Sequence, residues 1–174
     1  MKEIQVEVHG PFQSFEDQTL AISFNEPGSN RGCLISIGIY EAISITSIKE
    51  KIQLPRPMVY DLFKNLLDAV GVKIEKIVVT EFKTPSYHST IHVINESGNK
   101  KEIDARPSDA INLALRVNCP VFINEDLLKE GDLLKEVDVL KNPDDTLEQL
   151  QLNPNDEALT EWFRNLDPDK MRKE

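Results

Sequence analysis

Residues 104–120, DARPSDAINLALRVNCP, decide the fold, because this stretch contains a strand end, a sharp bend and both ends of a helix. Pro107 suits the first helical turn, where its missing N–H costs no hydrogen bond, and Asp109 places a negative charge beside the unpaired amides there. Asn118 is typical of a left-handed helix end, and Pro120 cannot continue the helix. The pattern therefore predicts a helix that begins beside Pro107 and ends at Asn118.

The predicted helix has a narrow apolar stripe, and the alanines in it allow close approach to another element. The stripe consists of Ala110, Ile111, Ala114 and Leu115. The short apolar run 121–123 follows at once and predicts a strand. Because a strand ends just before the helix begins, we expect Asp104, Arg106 and Asp109 to lie close together.

The rest of the chain alternates between strand and helix patterns. Residues 57–70 have apolar side chains at helical spacing, and Gly71 stands at the expected C-terminal cap. Residues 40–52 are ambiguous, because their apolar spacing suits a helix face whereas their β-branched residues lower helix propensity. Period-two alternation and apolar runs predict strands at residues 4–8, 20–24, 34–39, 72–82, 87–94 and 100–104.

These patterns predict an α+β fold: a single domain with a mixed β-sheet packed with helices, plus a C-terminal helical tail. We place the domain at residues 1–130 and an acidic C-terminal extension at residues 131–174. Apolar spacing predicts a short amphipathic helix over residues 159–166, and its apolar face has three possible docking partners. These are the domain itself, a second subunit or another protein.

The charge is unevenly spread along the chain, whose formal net charge is -10. Residues 1–125 hold 13 Lys and Arg against 16 Asp and Glu, whereas residues 126–174 hold 7 against 14. Unspecific, high-affinity binding to a phosphate backbone depends on clustered Lys and Arg that release counterions. This balance predicts that any contact with nucleic acid is local.

The cysteines and the hydropathy of the chain indicate the cellular compartment of the protein. The chain has 2 cysteines, and Cys119 lies beside an apolar strand, where a thiol behaves as a small hydrophobe, so a disulfide is not favoured. The first residues alternate charged and β-branched side chains and predict a strand and not a signal peptide. Since no apolar run approaches transmembrane length, we expect no membrane contact and a soluble, cytoplasmic protein.

The familiar signatures of catalysis are absent, since the chain has no phosphate-binding glycine loop, serine elbow or cysteine pairs at zinc spacing. What remains is a set of carboxylates around Arg106. Carboxylates of this kind suit Mg²⁺ or Mn²⁺, which keep water ligands for phosphate chemistry. The set comprises Glu41, Asp61, Asp104 and Asp109.

Each of these residues also has a structural interpretation. Arg106 between two aspartates is most simply an ion pair or a loop anchor, and Asp109 a first-turn charge. His88 and His92 share one strand face and suit weak metal binding, but solvated strand histidines are more common. Trp162 and Phe163 are interpreted as packing residues, because the sequence around them is acidic.

Several motifs carry a resemblance to a known family. Residues 104–116, DARPSDAI-x-LALR, followed by a proline and a short strand, closely resemble the hallmark of the bifunctional nuclease family. Upstream, IGIYEA at residues 37–42 and LPRPM at residues 54–58, with Asp61 and Leu62, resemble two further elements in the family's order. The resemblance covers at least residues 33–128. The segment 163–169, FRNLDPD, also looks like the family's C-terminal part.

The resemblance implies an α+β domain with a mixed sheet, often a homodimer, and nuclease activity on DNA and RNA as in plant members. It also resolves residues 40–52 as a helix. Many members carry Thr-His just before the helical aspartate, where this chain has Val59 and Tyr60. No catalytic histidine is therefore carried over.

Two hypotheses of different classes follow. The first is a nuclease that hydrolyses phosphodiester bonds of DNA or RNA with the help of Mg²⁺ or Mn²⁺. Its candidate catalytic residues are Glu41, Asp104, Arg106 and Asp109, its candidate metal ligands are Asp61, Asp104 and Asp109, and its candidate nucleic-acid contacts are Arg56 and Lys101. The second is a non-catalytic regulatory or binding module, in which the motif at residues 104–116 is structural. Under either hypothesis we expect a homo-oligomer, with a dimer favoured.

Overall fold

The computed structural model describes residues 1–13, 19–52 and 55–131. The amphipathic helix predicted over residues 159–166 lies outside this part of the chain. The described residues form two β-sheets and three α-helices. This confirms the α+β fold class. Among the described residues, none of the helices has the length and hydropathy needed to span a bilayer.

The larger sheet has five strands in the order β1-β8-β5-β6-β7, with bounds Glu3–Gln5 (β1), Val121–Asn124 (β8), Val72–Lys83 (β5), Ser86–Asn95 (β6) and Lys100–Ala105 (β7). Strands β5 and β8 pair in parallel, and the other neighbours are antiparallel. The sheet is therefore mixed, as predicted.

The smaller sheet has four antiparallel strands in the order β2-β3-β4-β9, with bounds Glu7–Gln13 (β2), Leu20–Asn25 (β3), Arg31–Ile37 (β4) and Lys129–Glu130 (β9). The helices are Ile39–Lys49 (α1), Val59–Ala69 (α2) and Pro107–Val117 (α3). A short 3₁₀ helix, Glu125–Leu127, precedes β9.

Helix α3 confirms the prediction of a helix that begins beside Pro107 and ends at Asn118. Pro107 occupies its first turn, and Asn118 caps its C-terminus in the left-handed conformation, with φ 53° and ψ 46°. Its stripe residues Ala110, Ile111 and Ala114 are buried in the core between the two sheets. These buried contacts hold α3 against the core. They also hold the first turn of α3, which carries Asp109.

Two predicted elements differ from the structure. Residues 4–8 were expected to form one strand, but Ile4 pairs with Ile123 in the larger sheet and Val8 pairs with Phe24 in the smaller one. The chain changes sheets at Val6, whose N–H donates to the carbonyl of Val121 at 3.0 Å. The sequence pattern also allows a short helix at residues 125–130, and the structure divides these residues instead into the 3₁₀ turn and β9.

Helix α2 is present where the sequence predicts it, but its apolar face is exposed. Val59, Leu62, Phe63, Leu66 and Val70 are each at least half exposed. An amphipathic helix ordinarily buries this face against its own domain. Here α2 is held to the domain by its opposite side, through Tyr60 and Asp61.

Candidate functional site

A pocket of about 680 Å³ lies where the three helices meet the end of β7. Helix α1 contributes Tyr40, Glu41 and Ser44, and α2 with its preceding residue contributes Met58, Val59, Tyr60 and Phe63. The strands and α3 supply Ile91, Asp104, Ala105, Arg106, Asp109 and Leu113. All four candidate catalytic residues, Glu41, Asp104, Arg106 and Asp109, therefore line one pocket.

Arg106 is the centre of the charged side of this pocket. Its Nε donates to Oδ2 of Asp109 at 2.7 Å, and its Nη2 donates to Oδ1 of Asp109 at 2.9 Å and to Oε1 of Glu41 at 2.8 Å. The guanidinium thus joins α1 to the first turn of α3. The hydrogen bonds that Arg106 donates to Asp109 hold the pKa of Arg106 above its ordinary value, so the guanidinium is always charged. Its side chain is still 66% exposed.

Asp109 also accepts a hydrogen bond of 2.6 Å from the hydroxyl of Tyr60. Burial raises the pKa of Asp109, but the hydrogen bonds from Arg106 and Tyr60 outweigh burial and hold that pKa below its ordinary value. Burial, and then the carboxylate of Asp109, raise the pKa of Tyr60. At neutral pH the pair is therefore a charged carboxylate and a protonated phenol.

The carboxylate of Glu41, which accepts from Arg106, lies over Gly38 just before α1. A Cβ atom at Gly38 would collide with Oε2 of Glu41, which folds back over the start of the helix. Only glycine leaves this space empty without a shift of the carboxylate. The glycine in the IGIYEA segment thus helps to place the carboxylate of Glu41.

A second arginine, Arg116, holds the three helices together beneath the pocket. Its side chain is 2% exposed, and its Nε donates to Oδ1 of Asp61 at 2.6 Å. Its Nη2 donates to Ser44 at 3.0 Å, and its Nη1 donates to the carbonyl and side chain of Asn112, both at 3.1 Å. The guanidinium also lies 5.5 Å from the ring centre of Tyr60. A buried charge needs such full pairing, so Arg116 is a structural residue.

Asp61 belongs to this second network and not to the charged side of the pocket. One carboxylate oxygen accepts from Arg116, and the other accepts from the backbone N–H of Met58 at 2.8 Å, which caps α2. Asp61 is thus fully engaged in holding α2 to α3. The structure does not bring it together with Asp104 and Asp109 as a ligand set.

Asp104 differs from the other carboxylates because its side chain is 85% exposed. Its Oδ1 lies 3.8 Å from Nδ1 of His88 on the neighbouring strand. Two residues earlier, Glu102 repeats this arrangement with His92 at 3.6 Å, but Glu102 does not line the pocket. Asp104 is therefore a solvated carboxylate at the pocket's edge.

The predicted nucleic-acid contacts lie apart from the pocket. Arg56 is exposed just before α2, and Lys101 is exposed on β7. Neither is among the residues that line the pocket. They stay predictions for a longer substrate that extends beyond the pocket.

The donor set does not match a resident divalent metal ion. Within residues 1–13, 19–52 and 55–131, no group of three or more His, Cys, Asp or Glu side chains is arranged to hold one. Glu41 and Asp109 share Arg106 instead, and a cation there would have to displace the guanidinium. The predicted assistance of the reaction by Mg²⁺ or Mn²⁺ stays a prediction.

Sequence reasoning missed two contributors to the site. Tyr60 was noted only as a departure from the family's histidine, yet its hydroxyl contacts Asp109. Arg116 was part of the quoted motif without a role, yet it anchors α2 through Asp61. The sequence contained one signal that Arg116 belongs to the site. Arg116 lies seven residues after Asp109 on the same helix, and residues at that spacing share a face.

A two-sheet α+β domain with an arginine, three carboxylates and an apolar pocket at one helix start has the layout of a ligand-binding domain. Comparison with known proteins narrows this class. The family model of the bifunctional nuclease domain matches residues 22–136. The chain belongs to this family.

Relatives with the same segment occur in bacteria and plants. An uncharacterized protein of Mycobacterium tuberculosis is 29% identical over 105 residues, which cover 60% of this chain and 62% of the relative. Bifunctional nuclease 1 of Arabidopsis thaliana is 30% identical over 101 residues, covering 55% of this chain and 31% of the relative. Bifunctional nuclease 1 of Oryza sativa subsp. japonica is 29% identical over 102 residues, covering 57% and 30%. The chain thus matches less than two thirds of each relative's own length.

Proposed function

We propose that this protein is a nuclease that hydrolyses phosphodiester bonds of DNA or RNA in the pocket beside Arg106. The observation that carries the proposal is the convergence of Glu41, Asp104, Arg106 and Asp109 on one pocket in a chain of the bifunctional nuclease domain family. The names of the plant relatives agree with this activity.

Arg106 binds the scissile phosphodiester in this proposal. Its Nε and Nη2 are used by Asp109 and Glu41, so Nη1 is the part of the guanidinium that remains for a phosphate oxygen. A donor held in place before the substrate arrives stabilises the charge that develops in the transition state. Glu41 and Asp109 are positioning residues, because they act through the orientation of Arg106.

Asp104 accepts the proton of the attacking water. It is the carboxylate at the pocket that water reaches most freely, with its side chain 85% exposed. Asp109 is the weaker base, because its oxygens already accept three hydrogen bonds and its pKa lies below the ordinary value. The water oxygen forms a bond to phosphorus as its proton goes to Asp104. The phosphorus–oxygen bond to the leaving group breaks, and the leaving oxygen takes a proton from solvent.

The test compares Arg106→Gln with Arg31→Gln. Arg31 is the matched control because it is also held by two carboxylates, those of Glu26 and Glu125, but it lies on β4 of the smaller sheet. Cleavage of single-stranded and duplex substrates should follow the protein through purification. We expect Arg106→Gln to lower kcat/KM about 100-fold or more, while Arg31→Gln cleaves like the wild type. Equal cleavage by both variants would refute the role of Arg106.

A second candidate function has its own support. All three hydrogen bonds of Arg106 go to carboxylates of the same chain, which is what a structural bend requires. The pocket also contains three carboxylates against one arginine, and this excess opposes the binding of an anion. A non-catalytic binding module is therefore the alternative, and it predicts that no nuclease activity follows the purified protein.

We further propose that the protein is a homodimer that buries part of the exposed face of α2. Leu62, Leu66 and Val70 lie on this face without lining the pocket, so a second copy can cover them and leave the pocket open. Light scattering should show that Leu66→Glu dissociates the dimer, whereas Asn65→Glu, at an exposed position of the same helix, does not. A monomeric wild-type protein would exclude this assembly. A cytoplasmic location is proposed with it, to be checked by cell fractionation.

A further inference from the structure

The pocket has an apolar and aromatic side that the hydrolytic proposal does not use. Tyr40 at the start of α1 is 66% exposed, and Phe63 on α2 is 50% exposed, although both line the pocket. Val59 and Leu113 add apolar side chains to the lining of the same pocket. Exposed aromatic rings beside a cavity are the surfaces on which nucleic-acid bases stack.

The charges of the pocket indicate which part of a nucleotide this side accepts. Glu41, Asp104 and Asp109 outnumber Arg106, so a group of high negative charge is repelled. A base is planar and uncharged, and its amino groups can donate to a solvated carboxylate such as Asp104. The base therefore suits the pocket better than a terminal phosphate does.

The size of the pocket and the charge of the chain argue against a duplex as the bound form. A pocket of about 680 Å³ is in the range that encloses a small molecule, and a base can enter it only after leaving its stack. A duplex would also require clustered basic residues along its backbone. The chain instead has a net charge of -10.

We propose that the pocket receives one unpaired base of a single-stranded nucleic acid between Tyr40 and Phe63, with the adjoining phosphodiester at Arg106. This inference rests on the proposed nuclease function and specifies its substrate class. Single strands, loops and frayed ends are then bound, and a fully paired duplex is bound only where it opens.

The test measures binding by fluorescence anisotropy with the full chain and with phosphorothioate-linked probes, which resist hydrolysis, so that cleavage does not interfere. The probes are a short single-stranded oligonucleotide, the same strand with one abasic position, and its duplex. We expect the wild type to bind the single strand about tenfold or more tightly than the duplex. Tyr40→Ala and Phe63→Ala should each weaken single-strand binding about fivefold or more. Each of these two variant proteins should bind the abasic strand no more weakly than it binds the intact strand.

Two control variants separate the pocket from surface effects. Phe82→Ala removes an aromatic ring that is 48% exposed and outside the pocket, and Asn65→Ala shortens an exposed side chain on the same helix as Phe63 that also lies outside the pocket. Both should bind the single strand like the wild type. If either control weakens binding as much as Phe63→Ala, or if Tyr40→Ala and Phe63→Ala change nothing, the proposal is overturned.

The inference and the nuclease proposal can fail separately. Base-dependent binding by a wild-type protein that cleaves neither substrate would refute the nuclease and retain the base pocket. Cleavage that depends on Arg106, with equal affinity for single strand and duplex, would retain the nuclease and overturn the base pocket.

Discussion

The hydroxyl of Tyr60 donates a hydrogen bond of 2.6 Å to Oδ1 of Asp109 and so joins α2 to the first turn of α3. The same carboxylate binds Arg106, which in turn binds Glu41 on α1. Three helices thus meet at one carboxylate. The orientation of Arg106 depends on all of them.

The first prediction concerns Tyr60→Phe, which removes the hydroxyl and keeps the ring. We expect the free energy of unfolding to fall by about 1 kcal/mol, because the partly buried Asp109 loses one donor. The ring should stay packed on Arg116, so the fold is retained. Chemical denaturation measures the change. Tyr40→Phe, at a side chain that is 66% exposed on α1, is the control, and an equal loss in both variants would show that the contact to Asp109 adds nothing.

The second prediction is the pH dependence of stability that comes from Asp109. Its pKa in the folded protein lies below the ordinary value of 3.8, so the ionised carboxylate favours the folded state. This contribution is complete above about pH 4 and is lost as the pH falls through the depressed pKa. Asp109→Asn should therefore be less stable than the wild type at pH 6, and the difference should shrink toward pH 2. A difference that is constant over this range would contradict the assignment.

The third prediction concerns Arg116, whose buried guanidinium pairs with Asp61, Ser44 and Asn112. Arg116→Ala leaves the carboxylate of Asp61 without its partner, so we expect the free energy of unfolding to fall by about 3 to 5 kcal/mol. Arg31→Ala, at a partly exposed ion pair on β4, should cost much less. Thermal or urea unfolding measures both, and similar losses would show that Arg116 is not a central support.

The fourth prediction concerns thiol reactivity. Burial raises the pKa of Cys119 to about 11, and Cys33 is buried in the core. Since the thiolate is the reactive form, both thiols should react slowly with an aromatic disulfide reagent at pH 7 and rapidly in denaturant. Neither cysteine forms a disulfide among the described residues. Fast labelling of the native protein would contradict this burial.

The sequence predicted α3 well because its signals are local. A proline in the first turn, a left-handed asparagine and an alanine-containing stripe act within one helix, and the structure confirms each of them. The strand predicted at residues 4–8 was wrong as a single unit for the opposite reason. Its division depends on Val121, which is distant in sequence and accepts the N–H of Val6.

The candidate site was predicted in part. Arg106 and Asp109 were expected to be close, and they are, because three residues span one helical turn. Asp61 was grouped with them as a carboxylate, but its partner Arg116 comes from the far end of α3. Pairing across helices depends on how the helices dock, and one chain's residue pattern does not carry that information.

The exposure of the apolar face of α2 also could not be predicted from the sequence. Apolar spacing predicts the helix, and the structure places it there. Which side of such a helix is covered depends on the partners of its polar side, here Tyr60 and Asp61. Periodicity therefore predicted the element and not its environment.

The most direct test of the proposed nuclease is the cleavage rate of Asp104→Asn, purified in the same way as the wild type and assayed with Mg²⁺, Mn²⁺ or EDTA. Glu102→Gln is the matched control, because Glu102 lies on the same strand, is 72% exposed and faces a histidine as Asp104 does, but does not line the pocket. We expect Asp104→Asn to lose cleavage about 100-fold or more with an unchanged unfolding midpoint, and Glu102→Gln to cleave normally. Normal cleavage by Asp104→Asn, or no cleavage by the wild type under any of the three conditions, would contradict the account and favour the binding module.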